Sequence, residues 1–198
     1  MRVIGGAFRS RRLQPVPGYE VRPTPDRLRE TLFDILTPKI EGALFVDAYA
    51  GTGAVGIEAL SRGALRAVFL EKNRKAVEVI RENVASLALQ DRAKVALGSV
   101  HLLLAGNPGD IVFLDPPYER EKEYELTLGV LAENPPALAV VQHSKRLALA
   151  DAYGPLRRTR VLRQGDNVLS FYAVPPTAAP AAANTPAPPH VPASPGRL

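Results

Sequence analysis

Two rhythms of apolar and polar positions alternate along the chain. Short apolar runs predict strands at Ala43–Asp47, Ala67–Glu71, Lys94–Leu97, Ile111–Asp115 and Ala137–Gln142. Between them, apolar residues recur every three or four positions, the period of a helix with one buried face. Leu28, Leu32, Phe33 and Leu36 share a stripe behind Thr24-Pro25, which suits a helix start. Val77, Ile80, Val84 and Leu87 form another within Lys75–Leu89. Further helices are expected up to Leu60 and over Tyr124–Leu131. Val161–Leu162 and Val168–Val174 read as a closing hairpin around Gly165-Asp166.

Alternating β and α elements predict an α/β fold with a doubly wound, mostly parallel, Rossmann-like sheet of seven strands. A C-terminal antiparallel hairpin closes it. Breakers at Gly5-Gly6 and Pro15-Val16-Pro17-Gly18 suggest a small N-terminal β-hairpin or arm over residues 1–21. The globular domain is expected over 22–174. Residues 175–198 are Pro/Ala-rich and hold too few large apolar groups to offset ordering entropy, so that tail is expected to be disordered.

Ligands of doubly wound sheets bind beyond the carboxyl ends of the strands. Asp47, Glu71 and Asp115 all end predicted strands, so they belong to one rim. Asp115-Pro116-Pro117-Tyr118 is the most specific stretch there. The prolines lack N–H groups and fix φ, so the loop is expected to be stiff with its carbonyls free. A carboxylate, free carbonyls and an aromatic face suit a flat base carrying an exocyclic amine.

A glycine-rich turn follows Asp47: Ala48-Tyr49-Ala50-Gly51-Thr52-Gly53-Ala54-Val55-Gly56. GxGxxG permits close approach of backbone to ligand and fits either a dinucleotide or S-adenosylmethionine. Glu71 lies where either would offer ribose hydroxyls. Asp47 discriminates. Its carboxylate would repel a pyrophosphate, but it suits the ammonium of a methionine moiety. Ser99 is placed either to bond an adenine N6 or to cap a helix, and Val100 to offer its backbone N–H.

Composition narrows the setting. The 198 residues hold no cysteine, which excludes disulfides and thiolate metal sites. Three scattered histidines show no metal-ligand spacing, so no metal is expected. No apolar run reaches a membrane span and no signal-peptide core follows Met1, so a cytoplasmic protein is expected. The net charge of +5 resides wholly in residues 1–29, where seven arginines face Glu20 and Asp26. Guanidinium forks suit phosphates, so Arg2, Arg9, Arg11, Arg12, Arg22 and Arg27 are candidate RNA contacts. Arg157, Arg158, Arg160 and Arg163 either extend that face or decorate an edge strand.

The order DAYAGTGAVGIEALSRGA, LEKN, LDPPY resembles class I S-adenosylmethionine-dependent amino-methyltransferases. RVIGG, RSRRL and RPTPDRLRETLFD before it closely resemble the RsmD family, whose members methylate a guanine N2 in 16S ribosomal RNA. The resemblance implies that Asp47, Ala48, Gly51 and Gly53 line the methionine end of the cofactor site. It puts Glu71 on the ribose and Lys72 or Asn73 beside the adenine. It makes Asp115, Pro116, Pro117 and Tyr118 the catalytic loop. It implies a partly assembled small subunit as substrate, and a monomer is the default state. The sequence departs from the family at Gln142, where relatives often carry Glu. DNA amino-methyltransferases share DPPY but need a target-recognition domain for which this chain has no spare segment. A dinucleotide-dependent oxidoreductase and a non-catalytic RNA-binding module that retains the pocket as a relic are the remaining alternatives.

Overall fold

The computed structural model describes residues 1–18 and 26–176. Arg22, the Thr24-Pro25 helix start and the tail beyond residue 176 lie outside the described residues. The elements are α1 (Asp26–Ile40), β1 (Leu44–Ala48), α2 (Ala54–Ser61), β2 (Arg66–Glu71), α3 (Arg74–Ser86), β3 (Ala93–Leu97), α4 (Val100–Ala105), β4 (Ile111–Leu114), α5 (Glu121–Glu133), β5 (Leu138–Ser144), β6 (Ala152–Tyr153), β7 (Leu156–Gln164) and β8 (Asn167–Ala173).

The strands form one sheet in the order β3-β2-β1-β4-β5-β8-β7-β6. Its first five strands run parallel, and β8, β7 and β6 pair antiparallel. The α/β doubly wound expectation is met, with eight strands among the described residues rather than seven. The extra strand, β6, has two residues, too few to show a periodicity. The expected Val161–Leu162 strand is also longer, because β7 starts at Leu156. Arg157, Arg158, Arg160 and Arg163 interrupt its apolar pattern, and a register shift between Arg158 and Arg160 breaks the alternation.

Side-chain alternation along the strands feeds two cores. Phe45, Phe113, Val140 and Phe171 meet α1 and α2 on one face. Val46, Val112, Leu114 and Val141 meet α4 and α5 on the other. Burying both faces makes the central strands almost continuously apolar. Gly56 is needed for this packing: a Cβ there would stand 2.3 Å from Phe69 Cε1.

The N-terminal arm folds back on itself. It closes through a single antiparallel bridge, Arg2 to Arg12, around a 3-10 turn at Gly6–Phe8. The Val3, Ser10 and Leu13 N–H groups bond within the arm, to the Arg11, Val3 and Met1 carbonyls, and three others go to α2. Glu58 accepts from the Ile4 and Gly5 N–H groups at 2.8 Å each, and Ser61 Oγ accepts from Phe8 N–H at 2.9 Å. Val3 and Leu13 bury in the α2–α3 core, and Val16 packs on Ala76 and Val79.

Candidate active site

The strand order reverses at β1, with β2 on one side and β4 on the other. Chains diverge there and leave a crevice beyond the strand ends. Asp47 lies near the end of β1, Glu71 ends β2, and Asp115 follows β4. The expected rim of three carboxylates is therefore formed.

Asp47 is buried, and its Oδ2 accepts from the Gly56 N–H at 2.8 Å. Burial pushes its carboxyl up to about 8. The Gly56 bond opposes the shift, and the Asp115 and Glu71 charges add to it. A cation entering the crevice would relieve that strain. Glu71 Oε1 accepts from the Lys72 and Asn73 N–H groups and Oε2 from the Gly51 N–H, at 2.8–2.9 Å. A carboxylate oxygen can accept two bonds, so Oε2 has capacity beyond Gly51.

The glycines of the turn differ in role. Gly51 has φ +57°, and a Cβ built there would meet nothing within 4 Å, so space opens above it. Gly53, at φ +77°, caps α2 with no side-chain bond and packs against Ile80 and Phe69. Tyr49 is a non-glycine residue at φ +67°, a conformation that costs about 1 kcal/mol or more. Its hydroxyl donates to Glu123 Oε2 at 2.8 Å, joining the turn to the start of α5.

Among the flanking candidates, Ala48 is buried against α4 and α5. Lys72 Nζ is shielded from solvent and has no hydrogen-bond partner among the described residues. Asn73 Oδ1 caps α3 through the Lys75 and Ala76 N–H groups. Gly98 donates to the Glu71 carbonyl, which brings Ser99 and Val100 beside Glu71. Ser99 is exposed at the N-cap of α4, makes no capping bond, and meets His101 Nδ1 at 3.2 Å. Val100 turns its side chain into the core.

The DPPY loop carries a correction: its carbonyls are not free. Pro116 O accepts from the Tyr124 hydroxyl at 3.0 Å, and Pro117 O accepts from the Arg120 N–H at 2.9 Å. Tyr124 is fully buried on α5, so its hydroxyl needs an acceptor. Tyr118 is half-buried and donates its hydroxyl to Asn167 Oδ1 at 2.7 Å. Gln142 is buried at the end of β5.

Arg2, Arg9, Arg11, Arg12 and Arg27 are exposed. Arg29, part of the basic run, is not; it is wholly buried, and its Nη2 donates to Arg2 O at 2.6 Å. Burial lowers its pKa, with Glu58 and Asp26 opposing. Sequence reading missed Glu58, Ser61, Asn83, Glu123 and Asn167. The available signal was a polar residue inside an apolar stripe, as at Glu58 in VGIEAL and Asn83 beside Ile80 and Val84.

The stretch that holds the arm, the glycine turn and the DPPY loop matches known proteins as a whole. A family described as Conserved hypothetical protein 95 matches residues 1–173. Ribosomal RNA small subunit methyltransferase D of Escherichia coli K12 is 42% identical over 136 residues, 68% of either chain. YlbH of Bacillus subtilis is 32% identical over 186 residues, 87% of this chain and 98% of that one. The solved structure of yhhF from Escherichia coli superposes with a TM-score of 0.74 at 36% identity, covering 87% of this chain and 96% of that one. The match over nearly the whole described chain, arm included, makes this protein a member of the RsmD family of methyltransferases.

Proposed function

We propose that the protein transfers a methyl group from S-adenosylmethionine to the exocyclic N2 of a guanine in 16S ribosomal RNA, within an assembling small subunit. The observation that carries the reading is the meeting of Asp47, Glu71 and the DPPY loop on one rim. Relatives named small subunit methyltransferase D support the rRNA substrate. Among the described residues no helix is long and apolar enough to cross a membrane, in keeping with such a substrate.

The residues fit the cofactor. The space above Gly51 admits a ligand lying against the turn. Asp47 meets the methionine ammonium, and Glu71 Oε2 meets the ribose. Ser99 and the Val100 N–H stand near the adenine edge. Bound there, the cofactor supplies a methyl group already activated on a sulfonium, so the protein's task is to position and desolvate.

The amine needs more help, because its lone pair is delocalised into the ring. Asp115 accepts one amine N–H. The second lone pair of Pro116 O accepts the other, while Tyr124 holds the first. These acceptors favour a tetrahedral nitrogen. The N–C bond forms as the methyl–sulfur bond breaks, and Asp115 stabilises the positive charge that develops on nitrogen. The proton the nitrogen then sheds passes through Asp115 to solvent. Tyr118, anchored through Asn167, offers its ring to the base. The exposed arginines of the arm hold phosphates.

The test is mass mapping of 16S rRNA from a deletion strain, with methyl transfer by the purified protein to small subunits and to plasmid DNA. Loss of one N2-methylguanosine and transfer to subunits are expected. Retention of every N2-methylguanosine overturns the reading, and transfer to DNA alone replaces it with a DNA amino-methyltransferase.

A further inference from the structure

Asn83 is buried on α3 with 1% exposure, and no part of the proposed reaction uses it. Both of its donors and one acceptor site are engaged. Oδ1 accepts from the Gln14 N–H at 2.7 Å. Nδ2 donates to the Gln14 carbonyl at 3.2 Å and to the Thr52 carbonyl at 3.0 Å. The amide orientation follows from its partners, since one is an N–H and two are carbonyls. Gln14 belongs to the arm, and Thr52 lies between Gly51 and Gly53. One side chain therefore ties the arginine-bearing arm to the glycine turn.

The connection continues on both sides. Gly51, next to Thr52, donates to Glu71 Oε2. Thr52 Oγ1 reaches Met1 Sδ at 3.5 Å, and Arg11 Nη2 reaches the Ser86 carbonyl at 3.4 Å. Val16 seats on Ala76 and Val79, which share the helical face of Asn83. A turn with two glycines at positive φ has little stiffness of its own, so an outside donor on its central carbonyl sets where its N–H groups point.

We infer that Asn83 is a positioning residue that makes cofactor affinity depend on how the arm is docked. This rests on the glycine turn being the cofactor site. An arm held in place by RNA stabilises the Asn83–Thr52 bond and so tightens the cofactor. By linkage, bound cofactor tightens the grip of the arm on RNA by the same factor. The two substrates of the reaction are thereby coupled through one amide.

Calorimetry with S-adenosylhomocysteine tests the coupling on the full chain, with melting temperatures taken in parallel. Asn83→Asp keeps an acceptor for Gln14 N–H but removes both donors. It should weaken S-adenosylhomocysteine about tenfold, as expected for two lost hydrogen bonds that are partly solvated in the free protein. Gln14→Pro removes the arm's N–H while leaving both Asn83 donors in place, and should weaken it about threefold. At saturating cofactor, kcat should stay within about twofold in both, which a general loosening of the fold would not leave intact. If N83D fails to fold, Q14P alone decides. Wild-type affinity in N83D, or in Q14P, overturns the coupling. Glu71→Ala separates the two readings. If E71A binds as wild type, the cofactor site is wrong; if E71A loses binding while N83D keeps it, only the coupling falls.

Discussion

The glycine turn after β1 and the DPPY loop after β4 sit side by side on one rim, yet they are held by opposite means. The turn is rich in backbone N–H groups, and carboxylates hold it: Asp47 takes Gly56 and Glu71 takes Gly51. The loop has no N–H at Pro116 or Pro117, and hydroxyls and an N–H hold its carbonyls: Tyr124 at Pro116 and Arg120 at Pro117. Glycine gives the turn freedom that outside acceptors remove. Proline gives the loop stiffness of its own, and outside donors only set its place. The bond from the Asp115 N–H to the Ala48 carbonyl links the two directly, and Tyr49 to Glu123 ties the turn to α5 behind the loop. Changes in the turn should thus appear in cofactor affinity, and changes in the loop in turnover.

Asp115→Asn tests that division most severely. Turnover should fall by about 10² to 10⁴, the usual range for a lost acid–base or charge-stabilising group. S-adenosylhomocysteine binding should stay near wild type by calorimetry. Loss of both together would break the comparison.

Asp47→Asn is the mirror case. Cofactor affinity should drop by about 10- to 100-fold, as for one charge-assisted bond. Stability should move the other way. The folded carboxyl titrates at about 8 and the unfolded one near 3.8, so between those values the folded state binds the extra proton. Wild-type stability therefore falls as pH rises through that window. D47N should melt higher than wild type at pH 8, by a few degrees for a group this buried, with the gap closing toward pH 4. For the same reason, wild-type cofactor binding near pH 7 should release protons, measurable as a dependence of the binding heat on buffer.

The arm should affect RNA and not the reacting atoms. Arg9, Arg11 and Arg12 changed together to Ala should weaken rRNA binding about tenfold or more and flatten the slope of log affinity against log salt by about two units. A slope equal to wild type would count against these arginines as phosphate contacts.

Tyr49→Phe should have the smallest effect. It deletes one hydroxyl and leaves the ring, so it should cost a few-fold in turnover, as for one hydrogen bond. Its KM for cofactor should hold. A larger change in KM than in kcat would mean that the hydroxyl serves the turn rather than the alignment of the two loops.

Most of the fold was legible because the parallel strands are buried on both faces and read as unbroken apolar runs, as in Ile111–Leu114. The antiparallel end was less so. In β7 the arginines face solvent and mask the strand, and β6 is too short to carry a pattern. The six-residue α4 left no periodicity beyond Ser99. At the site, Asp47, Glu71 and Asp115 were legible because each ends or follows an apolar run. The roles of Glu58 and Asn83 were not, because the backbone groups they hold in the arm and the glycine turn lie 31 to 69 residues away.

The DPPY carbonyls show the same limit. Two prolines in sequence say that the loop lacks donors, but only packing brings Tyr124 beneath Pro116. Arg29 reads as one more surface cation until α1 docks and buries it against Arg2 and Glu58.

By itself the sequence determined the alternation of strands and helices, the rim that collects the three acids, and the chemical types available there. Those follow from local periodicity and from the chain order of a parallel sheet. Tertiary structure alone decided which groups are already engaged, how far Asp47 is pushed from its ordinary pKa, and that the arm rests on α2 and α3 beside the glycine turn. Each of these depends on burial and on hydrogen-bond partners distant in sequence, and neither has a local signature along the chain.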